Sequence, residues 1–117
     1  MKKYLKVEYG SRGEMEVFGL VDSGYDVIRK ELDELVSNCD DEGMVEYYEE
    51  FMFLNEDVEK GVIEVGVGEE ESYTYIEYDK NKEGVDEILR IDGLCREGKM
   101  EWNDGDVVVD MILSEIV

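Results

Sequence analysis

Leu5, Val7 and Tyr9 alternate with polar or charged residues, and Met15 and Val17 repeat the pattern. A period of two marks a strand with one apolar face. The runs at residues 3 to 9 and 14 to 21 flank Gly10-Ser11-Arg12-Gly13, which predicts a hairpin. The spacing then changes. Ile28, Leu32, Leu35 and Val36 recur at helical intervals and predict a helix from about Gly24 to Asn38. Ser23, with Asp26 three residues on, resembles a capping box at its start.

Residues 44 to 54 place Met44, Tyr47, Tyr48, Phe51 and Met52 on one helical face, with Glu46, Glu49 and Glu50 opposite. A helix is favoured there over a strand pair. Val62 to Val67 and Ser72 to Tyr78 read as a second hairpin around Gly68-Glu69-Glu70-Glu71. In the second strand Tyr73 and Tyr75 share a face with Glu77, while Tyr78 lies with Thr74 and Ile76. Val85, Ile88 and Leu89 predict a short helix that stops near Gly93. Lys99 to Trp102 and Asp106 to Leu113 flank Asn103-Asp104-Gly105, the signal for a third hairpin, and three adjacent valines favour strand. The sum is a single α+β domain over residues 1 to 117, with a mostly antiparallel sheet and two or three helices. Links this short do not allow parallel crossovers.

Charge changes the picture more than composition does. Hydrophobic residues make up 43% of the 117 residues, enough for a core. Acids number 33 against 12 bases, a formal charge of -21 with no histidine. Glu31 to Glu59 holds 12 acids and no base; Gly61 to Asp79 and Met100 to Val117 are also base-free. Nucleic acid and anionic membranes are therefore poor direct partners. No apolar run is long enough to span a bilayer, and no signal-peptide core stands at the N-terminus, so the expected compartment is the cytoplasm. Ala, Pro, His and Gln are absent and Thr occurs once. All their codons carry C at position one or two, so the gaps point to a C-poor gene of the kind mobile elements carry. They do not point to a functional demand. A halophile would be rich in Ala and Thr, so salt adaptation does not explain the charge.

Candidate chemistry is thin. Gly93-Leu94-Cys95-Arg96-Glu97-Gly98-Lys99 fits a phosphate-binding loop for seven places, but Met100 stands where Ser or Thr is needed. The motif also needs a strand before it and a helix after it, whereas here the expected order is helix before and strand after. Asn103-Asp104-Gly105-Asp106 fails as a calcium loop, because Met100 and Met111 fall at ligand positions. Cys39 and Cys95 have no CxxC spacing for zinc and no histidine for activation, and read as reduced packing residues. The expectation is no enzyme, no cofactor and no metal.

What remains is the acidic surface with its tyrosines. Glu46, Glu49 and Glu50 surround Tyr47 and Tyr48; Glu69, Glu70 and Glu71 precede Tyr73. Tyrosine is enriched at interface centres, and charge sets partner choice and on-rate. These nine residues are the expected partner-binding set, and the expected partner is a basic protein such as a nuclease or nucleic-acid-binding complex. The function expected is a non-enzymatic inhibitor of the phage or mobile-element type, such as an anti-CRISPR or DNA mimic. The alternatives are an immunity protein against a basic toxin nuclease, or an accessory domain that self-associates or binds a small ligand.

Overall fold

The computed structural model describes residues 1–10, 12–69 and 71–117. Five strands and four helices follow in the order β1 (Lys2–Gly10), β2 (Met15–Ser23), α1 (Tyr25–Ser37), α2 (Glu42–Phe51), β3 (Phe53–Asp57), β4 (Val62–Gly66), β5 (Glu71–Glu77), α3 (Lys82–Arg96) and α4 (Trp102–Ile116). The strands form one antiparallel sheet in the order β2-β1-β5-β4-β3. Alternation sends Leu5, Val7 and Ile76 to one face, where α3 and α4 cover them with Val85, Ile88, Ile91, Val109 and Leu113. Tyr4, Ile63, Val65 and Tyr75 go to the other face, where Ile28 and Leu32 of α1 meet them. The α+β class and the two hairpins, β1–β2 and β4–β5, stand as the hydrophobic pattern predicts.

Four helices replace the two or three expected, and the third hairpin is absent. Residues 102 to 116 are helical. Gly105, Val109 and Leu113 recur every four residues and pack on α3, with Ile112 and Ile116 beside them. Asn103-Asp104-Gly105 is the first turn of α4, not a hairpin bend. The valine run misleads because only Val109 is buried, while Val107 and Val108 face solvent.

The α3 helix runs through Gly93, which does not stop it, because Ile91 and Cys95 continue the buried stripe of Val85 and Ile88. It ends in a Schellman motif. Gly98 N–H donates to the Cys95 carbonyl at 3.1 Å, Lys99 N–H donates to the Leu94 carbonyl at 2.9 Å, and Gly98 takes φ 74. Of the glycines that imitate a phosphate loop, Gly93 is thus inside α3 and Gly98 ends it, and helix α4 follows where a strand was expected.

Two local details also differ. Gly24, not Ser23, caps α1, and Ser23 is buried at the end of β2. The favoured helix over residues 44 to 54 is α2, but it yields at Met52, and Phe53 and Leu54 open edge strand β3. Asp41 caps α2 by accepting from Gly43 N–H at 2.9 Å and Met44 N–H at 3.4 Å. Among the described residues no helix is long and apolar enough to cross a membrane.

Candidate functional site

The two acidic tyrosine clusters touch at one point in the fold, where Tyr47 meets Glu69. The capped start of α2 aims Tyr47 at the β4–β5 turn. Its hydroxyl accepts from Glu69 N–H at 3.0 Å. Gly68 makes this approach possible, since a Cβ there would stand 2.6 Å from the same oxygen. Tyr47 also packs on Tyr48 and Phe51, with ring centroids 5.9 and 5.0 Å away. Glu46, Glu49, Glu50 and Glu69 are exposed around this half-buried aromatic centre. Glu70 lies outside the described residues.

Glu71 and Tyr73 belong to a neighbouring patch on the face that α1 covers only in part. Tyr73 Oη donates to Glu71, and burial, then that carboxylate, pushes the phenol upward. Glu8 lies close enough to Glu71 to feel its charge. Its pKa is raised, first by burial and then by the charge of Glu71 and Glu16. Glu16 stands directly opposite Glu8 in the β1–β2 ladder. Lys6, next in this row, sits over Tyr73, Phe18 and Tyr75, at 4.8, 5.1 and 5.7 Å from their ring centres. A β-bulge supplies the third ring: the ladder shifts between Lys6 and Val7, Phe18 is left without a partner, and Gly19 takes φ 103. Lys6, Glu8, Glu16 and Phe18 escaped the sequence reading. The alternation of β1 places Lys6 and Glu8 on one face, but the bulge that brings Phe18 over them has no local signal beyond Gly19.

The balance of charge on the surface is set by who pairs with whom. Lys2 and Lys80 pair with Glu77, Lys3 with Asp22, Arg90 with Glu87, Arg96 with Asp92 and Lys99 with Glu97. Lys60 Nζ donates to the Val117 carbonyl at 2.7 Å, and Lys80 donates to that of Val58. The bases are largely engaged within the chain. All 12 acids of Glu31 to Glu59 are exposed, and among the described residues none of them is in an ion pair. They run along the outer side of α1, around α2 and onto edge strand β3.

Such a surface accepts cations. Carboxylates beside aromatic faces bind Lys and Arg side chains by charge-assisted hydrogen bonds and cation–π contact. Among the described residues neither cysteine is an activated nucleophile. Cys95 is buried, its thiol pushed up by that burial and by Asp106, and Cys39 is a half-buried free thiol. Among the described residues no three Cys, Asp or Glu side chains converge in a metal-binding arrangement. Comparison with protein-family models, curated proteins and solved structures finds no match.

Proposed function

We propose that the chain is a non-enzymatic inhibitor that binds a basic surface of a nucleic-acid-processing protein in the cytoplasm, as a phage or mobile-element anti-defence protein or DNA mimic does. The observation that carries this reading is charge per length. The molecule is 46 Å long and carries -21. A DNA duplex of that length carries about 27 phosphate charges, one per roughly 1.7 Å. The two linear densities agree within about a third. The free carboxylates of residues 31 to 59 supply the longest continuous part of that field, and Tyr47 and Tyr48 give it an apolar centre.

The test is capture of the partner by tagged protein at low salt, followed by competition. The expected result is a basic nuclease or nucleic-acid-binding complex from which duplex DNA or RNA displaces the chain. A partner that holds the chain and nucleic acid together, each with undiminished affinity, contradicts the mimic reading. The identity of the captured target also separates the two biological settings: a defence complex fits an anti-defence inhibitor, and a toxin nuclease fits an immunity protein.

A further inference from the structure

The α4 helix carries exposed apolar side chains away from the core as well as the buried ones that face it. Gly105, Val109 and Leu113 face the core. On the opposite side Val107, Val108 and Met111 are 61%, 38% and 62% exposed. Val107 and Met111, four apart, form a short ridge one turn long, and Val108, three residues before Met111, lies beside it. The flanks are acidic. Asp104 and Glu115 stand one turn before and one turn after the ridge, and Asp110 lines one side. All three carboxylates are exposed, and among the described residues none is in an ion pair. No base occurs between Met100 and Val117. Beyond Asp110 the helix and sheet leave a cavity of about 420 Å³, lined by Tyr9, Glu64, Thr74, Asp110 and Ser114.

We infer that the outer face of α4 is a docking surface for an amphipathic helix of a partner protein, aliphatic along its centre with Lys or Arg one turn beyond at each end. Helix ridges seat in the grooves of a facing helix, and α4 offers about 22 Å of contact length. Charge complementarity selects the occupant. Basic ends meet Asp104 and Glu115, and a long basic side chain beside the ridge reaches Asp110 and the cavity between it and Glu64. A second copy of the chain is a poor occupant. Two-fold pairing of this ridge sets the acids of one α4 against those of the other, on molecules of charge -21. An anionic membrane is repelled for the same reason.

The inference takes from the function proposed above only the sign of the partner's charge. It concerns the other side of the sheet from α1, so it can fail while the reading of residues 31 to 59 stands, and the reverse. The probe is a synthetic leucine–lysine amphipathic helix of about four turns, with a scrambled peptide of the same composition as control. Binding is followed by amide chemical shifts at about 0.3 M salt, where the Debye length is about 6 Å and diffuse attraction is weak. The expected result is saturable shifts at Val107, Val108 and Met111, with the scrambled peptide about tenfold weaker. Val107→Ser with Met111→Ser should weaken binding about tenfold. Met111→Gln, which keeps the helix, should show the same direction if the serine pair disturbs folding. Glu46→Lys, Glu49→Lys and Glu50→Lys together should leave the shifts on α4. Equal binding of both peptides, shifts centred on α2, or no binding overturns the inference. So does a concentration-dependent dimer that Met111→Gln dissolves, which assigns the ridge to a second copy.

Discussion

Gly93 lies inside α3 with nothing within 4 Å of where a Cβ would stand. Gly105 lies inside α4, where a Cβ would collide with Cys95 Sγ and stand 3.4 Å from Ile91 Cγ2. The same substitution therefore has opposite signs. Gly93→Ala should stabilise by about 0.5–1 kcal/mol through helix propensity. Gly105→Ala should destabilise by about 1–3 kcal/mol, because the α3–α4 contact has no room for a methyl group. Chemical denaturation followed by the single tryptophan, Trp102, reads both. Tyr9 makes a pH prediction. Burial, then the charges of Asp110 and Glu64, push its phenol up to about 12. The unfolded phenol ionises near 10. The unfolded state thus loses its proton first, and the stability held below pH 10 is lost between about pH 10 and 12. In Tyr9→Phe that alkaline loss should be smaller, measured as denaturation midpoint against pH; an unchanged slope removes Tyr9 as a cause. At this scale the sequence was legible where a side chain acts through its own strand or helix, as Glu46, Glu49 and Glu50 do. It was illegible where a neighbour decides. Nothing near Lys6 in sequence announces Phe18, and nothing near Gly68 announces Tyr47.

The elements were read correctly where one period runs through the segment, as in β1, β2, β4, β5, α1 and most of α2. The miss at α4 has a physical cause: its second apolar face, Val107, Val108 and Met111, breaks the amphipathic pattern and imitates a buried strand. The error and the proposed docking ridge are the same three residues. The α3 end was missed because glycine reads equally as breaker, cap or phosphate loop until its φ is known. The clusters of the candidate site were named from sequence, but the contact of Tyr47 with Glu69 was not, since it depends on how α2 lies against the β4–β5 turn. That link is testable. Asp41→Ala removes the α2 cap and should cost about 1 kcal/mol. It should also raise amide exchange at Glu69, whose N–H is held by Tyr47. Exchange at Glu69 that stays at its original rate in both Asp41→Ala and Tyr47→Phe means α2 is not anchored by this contact.

For the molecule as a whole, charge works against the fold and, in the complex proposed above, for binding. Unpaired acids repel one another, so the isolated chain should gain thermal stability as salt rises from about 50 to 500 mM and the Debye length shrinks several-fold. The complex should respond in the opposite sense, because the same screening removes the attraction that brings a basic partner in. The central claim is that the carboxylates around α2 are the part that meets this partner. The measurement that tests it most directly is the association rate with the captured basic protein, over the same salt range. It compares the natural chain with one carrying Glu46→Lys, Glu49→Lys and Glu50→Lys. A rate that falls steeply with salt, and about tenfold or more on charge reversal at low salt, is the result predicted. A rate indifferent to both salt and reversal contradicts it.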